Sequence, residues 1–350
     1  MTLELGVLEG DGIGPEVVSS AVAVLAATDL DVDLVELPVG WAAYDEYGTT
    51  VPDGTLDRLR TVDGWLLGPV LSGEYPDDDP AGGNPSSRLR TAFDLYSNRR
   101  PIRSYDGLGP EGMAVTFFRQ NTEGFYADRN MHAGDGRVMP TEDVALSVRV
   151  VTRRESRRIA EAAFAHADER GLDVTAVHKA NVFRNAGPLF LDAVETVGES
   201  YPDVELETRL VDAFAMELVA DPTAHDVVVT TNLFGDVLSD EAAGVVGSLG
   251  LAPGLNHNDD DGHAMAQATH GAAPDIAGEG VANPTGVVLS AALLLDWLGR
   301  RGAAGASEAA TAVTDAVTRT VEEGPRTPDV GGDATTGAVT DAVVDRVRRG

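Results

Sequence analysis

Short apolar runs alternate with segments of helical spacing along the whole chain. Residues 3–8 read as a buried strand and are followed by a turn containing Gly10, Gly12, Gly14 and Pro15. Residues 16–27 then place Val17, Ala21, Val24 and Leu25 on one helical face. Further strands are predicted at 32–37, 64–67, 113–118, 173–177 and 227–231, with helices such as 154–170 between some of them. Strand–helix alternation of this kind specifies an α/β fold. The chain has 350 residues and no internal repeat. At roughly 100–200 residues per domain, two domains are expected.

Composition removes several classes of function. The net charge of −31 argues against nucleic acid and anionic membrane surfaces as partners, since both attract basic patches. There is no cysteine, which excludes disulfides, thiolate metal sites and thiol nucleophiles. Of the 26 basic residues only Lys179 is a lysine, and the others are arginines. Abundant acid with almost no lysine is the composition expected of a salt-saturated cytoplasm, where the Debye length falls to about 3 Å at 1 M. The first residues carry no basic leader, and the apolar stretch 287–295 is far short of the ~20 residues that span a bilayer. A cytoplasmic location is therefore expected.

Two loops stand out. Residues 72–87 are rich in Gly, Pro and Asp, and 252–262 contain Asp259-Asp260-Asp261; both read as solvated surface. Residues 128–141 read as a projecting hairpin or arm.

Several motifs bear on chemistry. The run from Gly10 to Glu16 fails the dinucleotide template G-x-G-x-x-G, because Pro15 stands where the third glycine belongs. It supports a tight strand-to-helix turn whose backbone can approach a ligand. Arg88, Arg90, Arg99, Arg100, Arg103 and Arg119 either pair with surface carboxylates or converge on one cleft as a fork-shaped carboxylate receptor. Lys179 follows a buried strand and so falls at a strand end. A lysine, unlike an arginine, can exchange protons near neutrality. Asp236 and Asp240 share one helix face, where two like charges repel unless a cation lies between them. Oxygen-only ligands point to Mg²⁺ or Mn²⁺. The loop from His270 to Gly278 surrounds Pro274 with small residues, so its backbone can touch a flat ligand, and Asp275 within it suits ribose hydroxyls.

Together these blocks resemble the metal-dependent β-decarboxylating dehydrogenases, which include isopropylmalate, isocitrate, homoisocitrate and tartrate/malate dehydrogenases. The resemblance runs from the Gly10 turn through Asp94-Leu95-Tyr96-Ser97-Asn98-Arg99-Arg100-Pro101, Asn121 to Tyr126 and His178 to Val182. It continues through Asn232 to Asp240 and His270 to Gly278, and ends at Pro325-Arg326-Thr327-Pro328-Asp329.

The resemblance implies a two-domain α/β fold of isopropylmalate dehydrogenase type, with a sheet running across both domains and not of Rossmann type. The first domain is expected from residues 1–99 plus 251–350, on the cofactor side. The second is expected from 100–250, with the arm and the metal aspartates. It implies a metal held by Asp236 and Asp240 with Asp212 of the partner subunit, and substrate bound by Ser86, Arg90, Arg100 and Arg119. It makes Lys179 the base, also acting from the partner subunit, and Tyr126 the acid that protonates C3. NAD is expected on His270, Gly271, Asp275 and Asn283, with Asp275 favouring NAD over NADP. A homodimer, alone or as a dimer of dimers, is implied as the active unit.

The implied reaction is NAD- and Mg²⁺- or Mn²⁺-dependent oxidation and decarboxylation of a 3-substituted malate. 3-Isopropylmalate is the leading substrate, and isocitrate, homoisocitrate, tartrate or D-malate are the alternatives. A non-catalytic acidic binding protein is the competing class. Three departures from the family pattern are visible: Gln120 and Gln267 stand where many relatives carry Glu, and Ser86-Ser87 replaces a leucine pair seen in many isopropylmalate enzymes.

Overall fold

The computed structural model describes residues 2–76, 79, 83–126 and 136–349. In chain order the strands are β1 (Leu3–Leu8), β2 (Val32–Glu36), β3 (Gly64–Leu67), β4 (Ser97–Arg103), β5 (Ala114–Gln120), β6 (Arg137–Thr141), β7 (Val144–Ser147), β8 (Val174–His178), β9 (Leu206–Leu210), β10 (Val227–Thr230), β11 (Leu255–Asn258) and β12 (His263–Ala266). The helices are α1 (Gly14–Leu25), α2 (Gly40–Tyr47), α3 (Asp53–Leu59), α4 (Pro85–Ala92), α5 (Arg153–Asp168), α6 (Ala186–Gly198), α7 (Val211–Ala220), α8 (Asn232–Val246), α9 (Thr285–Arg300), α10 (Ala306–Glu323) and α11 (Thr336–Arg349). The fold is α/β with a large mixed sheet. Its antiparallel pairs, β4 with β5 and β11 with β12, separate it from an all-parallel doubly wound sheet.

Two compact units divide the chain. One comprises Met1–Phe93, Tyr105–Glu111 and Val246–Gly350, and the other Asp94–Ser104 and Gly112–Val245. The limits read from sequence, 99/100 and 250/251, fall within β4 and within a short 3₁₀ turn at Leu249–Leu251. The contact boundary instead keeps β4 whole, because all seven of its residues pair with β5.

In the first unit the strand order is β2-β1-β3-β12-β11. The apolar stretch at 287–295 is the buried heart of α9. Gly12 has a positive φ of 57°, and a Cβ there would lie 2.0 Å from the Ala272 carbonyl oxygen. The glycine turn thus packs on backbone of the His270 loop, with Ile13 N–H donating to the same oxygen at 2.8 Å. Two loop expectations need correction. Residues 255–258 of the expected 252–262 loop form β11, fully buried, and only Asp259–Asp261 are exposed. Its polar residues Asn256 and Asn258 disguised it, yet both are buried because their amides bond backbone carbonyls. Likewise Pro85, Ser86 and Ser87 are the first turn of α4, capped by the Asn84 side chain accepting from Ser87 N–H at 3.1 Å. Parts of the expected 72–87 loop and of the expected arm lie outside the described residues.

In the second unit the order is β4-β5-β10-β8-β9, and β5, β10, β8 and β9 run parallel. Period-two alternation sorts the aromatic residues of β5 onto opposite faces. Phe118 joins Phe164 of α5 and Phe190 of α6 in one core, while Phe117 meets Phe214 of α7 edge-on at 6.3 Å. Each buried phenyl contributes roughly 1.5–3 kcal/mol. Because these strands are parallel and in register, with Thr230 opposite both Arg119 and Val177, their carboxyl ends share one edge. Lys179 and Asn232 follow directly there. Of the expected arm only 136–141 are described; they hold β6, which pairs antiparallel with β7 beyond it in an exposed hairpin.

Candidate active site

Arg100 on β4 and Arg119 on β5 are buried, at 5% and 3% exposure, and both guanidinium groups reach α8. Arg119 donates through Nε and Nη2 to Asn232 Oδ1 at 2.9 and 2.6 Å, and its Nη1 pairs with Asp236. Arg100 donates to Asn98 Oδ1 at 2.6 Å and Ser239 Oγ at 2.7 Å, and lies 3.4 Å from both Asp236 and Asp240. Burial and the neighbouring Arg119 charge pull Arg100 down to about 10, so it stays charged at neutral pH. Burial raises the Asp240 carboxyl, with Asp236 adding to the effect and the arginines opposing it. The expected convergence of arginines is thus present for these two. Arg88 and Arg103 are exposed.

The approach of α8 to β5 depends on Gly235, since a Cβ there would sit 2.7 Å from Cβ and Cγ of Arg119. Asn232 links the group onward by donating to the Glu123 carbonyl at 2.9 Å. Asn232, Asn98 and Ser239 were not singled out from sequence. Their signal was position beside charged residues in the matched blocks, but short polar side chains there do not announce which arginine they hold. Gln120 is engaged locally, bonding Thr122 Oγ1 and accepting from the Thr122 and Glu123 amides. Tyr126 is partly buried at the end of this segment.

Lys179 Nζ donates to Asp212 Oδ1 at 2.5 Å. The lysine follows β8 and the aspartate opens α7 after β9, so adjacent parallel strands bring them together. The bond from Lys179 holds the Asp212 carboxyl below its ordinary value. Asp236 and Asp240 are oxygen donors suited to Mg²⁺ or Mn²⁺. Among the described residues, no three His, Asp or Glu side chains form a ready metal cluster.

In the first unit, Ser86 and Arg90 lie one turn apart on α4 and share an acceptor. Gln267 Oε1 takes Ser86 Oγ–H at 2.9 Å and Arg90 Nη2–H at 3.0 Å. A separate cavity of about 490 Å³ is lined by residues including Ile13, Ser248, His270, Gly271, Asn283 and Asp329. His270 Nδ1 donates to the Gly271 carbonyl at 3.1 Å, and its buried Nε2 has no partner among the described residues. Burial lowers the imidazole pKa, which leaves that Nε2 an acceptor for an N–H or O–H of a bound nucleotide. Ala273 in the lining holds a φ of +40°, a strained conformation of the kind found at ligand clamps. Asn283 donates to Asp329 at 3.0 Å and accepts from Thr285 N–H at 3.0 Å, so its side chain shapes the wall. Asp275 is exposed on the 3₁₀ turn Pro274–Ile276, whose neighbours Ala273 and Ile276 line the cavity.

The family model described as isocitrate/isopropylmalate dehydrogenase matches residues 4–347. The isocitrate/homoisocitrate dehydrogenase of Thermus thermophilus is 42% identical over 99% of each chain. The 3-isopropylmalate dehydrogenase of Methanothermobacter thermautotrophicus is 38% identical over 95% of this chain and 94% of its own. The crystal structure of isocitrate dehydrogenase from Methylococcus capsulatus has a TM-score of 0.87 and 38% identity, covering 99% of both chains. With the family model matched over almost the whole chain and relatives this similar along their full length, the chain belongs to the isocitrate/isopropylmalate dehydrogenase family, the β-decarboxylating dehydrogenases.

Proposed function

We propose that this chain catalyses NAD- and Mg²⁺- or Mn²⁺-dependent oxidative decarboxylation of a 3-substituted malate. The observation that carries this reading is the cluster of Arg100, Arg119, Asp236 and Asp240 at the carboxyl edge of β5 and β10. Two buried guanidiniums suit a substrate carboxylate, and two carboxylates one turn apart suit a hard cation. In this reading Arg90, Arg100 and Arg119 bind the carboxylate that is lost. Lys179 of the partner subunit accepts the C2 hydroxyl proton, and Tyr126 returns a proton to C3. Asp236 and Asp240, with Asp212 of the partner subunit, hold the metal, and the His270 cavity holds the nucleotide. Bound there, the cation supplies Lewis acidity at the C2 oxygen and NAD the hydride acceptor. Two charged arginines and a preorganised Asn232 stabilise negative charge without reorganising during the reaction.

The substituent at C3 reads best as polar, so isocitrate or homoisocitrate leads. Ser86, Gln267 and Arg90 form a buried or half-buried polar group, which packs an isopropyl group poorly and leaves hydrogen-bonding capacity for a carboxylate. 3-Isopropylmalate, the leading expectation from sequence, is the second reading, and the relative of that name supports it.

A homodimer with shared active sites completes the proposal. The β6–β7 hairpin exposes Val138, Met139 and Leu146 at 55%, 67% and 54%. Met216 and Val219 on α7 and Val237 on α8 are 59–65% exposed, beside Asp212 and Asp236 in sequence. Apolar patches of this kind mark interfaces. A cytoplasmic location fits, and among the described residues no helix is long and apolar enough to cross a membrane.

The test is a panel of isocitrate, homoisocitrate, 3-isopropylmalate, tartrate and D-malate, with NAD and Mg²⁺ in concentrated KCl, read as NADH absorbance. Turnover of isocitrate or homoisocitrate, whose C3 substituent itself carries a carboxylate, is expected, and EDTA should abolish it. Silence on every acid overturns the reaction class. A clear preference for 3-isopropylmalate overturns only the polar substituent.

A further inference from the structure

Arg149 lies just after the arm, outside every residue given a role above, yet its surroundings are unusual. Its guanidinium carbon sits 4.4 Å from the ring centroid of Phe183, 5.4 Å from that of Phe234 and 5.9 Å from that of Phe125. Phe183 packs in turn on both other rings, at 6.4 Å in each case. The remaining polar reach of the side chain is spent on Thr231, whose Oγ1 accepts from Nη2 at 3.0 Å.

The three rings belong to three different segments, and each segment carries a group assigned to the reaction. Phe125 precedes Tyr126. Phe183 is fastened to Lys179 by its own N–H, which donates to the Lys179 carbonyl at 2.9 Å. Phe234 lies in the first turn of α8, two residues before Asp236, and Thr231 immediately precedes that helix. The backbone beside Arg149 is itself locked to the Tyr126 segment. Gly124 and Val150 exchange hydrogen bonds at 2.8 and 2.9 Å, and the Glu123 carboxylate accepts from Thr152 N–H at 2.9 and 3.0 Å. The side chain therefore starts from a fixed point and touches the two segments the backbone bonds leave unconnected.

We propose that Arg149 is a positioning residue, its guanidinium among Phe125, Phe183 and Phe234 holding the Tyr126 and Asp236 segments, which serve this subunit's site, in register with the Lys179 segment, which serves its partner's. A planar, weakly hydrated cation suits this place better than an ammonium, since it can stack on rings and still donate to Thr231. The inference rests on the reading of Tyr126, Lys179 and Asp236 as active-site groups. Arg149 acts through its neighbours and need not touch substrate. Displacements near 1 Å at reacting groups lower turnover by up to about 100-fold.

The test compares wild type, Arg149→Met and Arg149→Lys in the full-length protein. Arg149→Met is expected to lower kcat by about 10–100-fold, while KM for acid and for NAD stays within about threefold. Arg149→Lys, which keeps the charge, is expected to recover part of that loss. Amide hydrogen exchange should accelerate at Phe183 and Gly124 in Arg149→Met. A kcat within about twofold of wild type, or no recovery in Arg149→Lys, overturns the proposal. Should Arg149→Met fail to fold, Phe183→Leu removes the nearest ring and must lower kcat in the same sense. If wild type turns over no acid, the functional reading fails separately; unchanged exchange at Phe183 and Gly124 then overturns the positioning role on its own.

Discussion

Replacing Gly235 with alanine puts two physical effects in opposition at one atom. In a helix interior alanine is favoured over glycine by about 0.8–1 kcal/mol, and Gly235 lies within α8 with no positive φ. The added Cβ, however, would sit 2.7 Å from both Cβ and Cγ of Arg119 and 3.2 Å from its Cα. Arg119 cannot retreat easily, because β5 is flanked by β4 and β10. Overpacking of this kind costs about 1–3 kcal/mol. Any rotation of Arg119 that relieves it strains the paired bonds to Asn232 and the ion pair with Asp236, and a hydrogen bond to a charged group is worth about 1.5–3 kcal/mol. The clash should win, with net destabilisation of about 1–3 kcal/mol.

Gly244 on the same helix supplies the control. It is exposed, and a Cβ there meets nothing within 4 Å. Gly244→Ala should therefore follow propensity alone and stabilise by up to about 1 kcal/mol. Urea unfolding followed by circular dichroism, at fixed protein concentration and salt, gives the two midpoints. They should move in opposite directions, and Gly235→Ala should also raise KM for the acid substrate through the displaced Arg119. If Gly235→Ala is as stable as Gly244→Ala, or keeps a wild-type KM, the fit of α8 against Arg119 does not govern the site.

Other predictions follow from the remaining groups. Lys179→Ala and Asp240→Asn should each be nearly inactive, yet co-expression should restore about a quarter of wild-type activity, because half the dimers then hold one intact site; no recovery would refute a shared site. Asp275→Lys should shift the NAD/NADP preference of kcat/KM towards NADP, and an unaltered ratio would remove Asp275 from cofactor choice. Dilution from concentrated KCl into low salt should loosen the dimer as self-repulsion of the −31 charge is unscreened; a sedimentation profile indifferent to salt would refute the high-salt reading. Burial pushes the Glu123 carboxyl from its ordinary 4.5 up to about 7. Between those values the folded chain holds a proton that the unfolded chain has released. Stability should therefore fall as pH rises from about 5 to 7, by at most about 3 kcal/mol at 1.36 kcal/mol per pH unit. Glu123→Gln should remove that component of the slope, and an identical slope in both proteins would refute it.

The parts of this fold that were legible in the sequence are those that apolar periodicity marks directly. The strands at 3–8 and 64–67 carry the bounds read from their hydrophobic runs, and the helix holding Asp236 and Asp240 presents both on one face as their spacing requires. What periodicity could not mark is polar burial. β11 reads Leu-Asn-His-Asn, which is loop chemistry by composition, and becomes a strand only because each asparagine finds a backbone carbonyl inside the fold. The same limit governs the site. A run of arginines leaves open whether each meets solvent carboxylates or a cleft, and only the pairing of β4 with β5 decides it, by bringing Arg100 and Arg119 onto one helix. The chain's lysine was conspicuous in sequence for its rarity, whereas Arg149 was one arginine among 25 other basic residues. Composition can expose a residue that departs from the chain's habit. It is silent about one that obeys the habit and is singular only in what surrounds it, so rings from three distant segments had to be seen around one guanidinium before Arg149 could be distinguished at all.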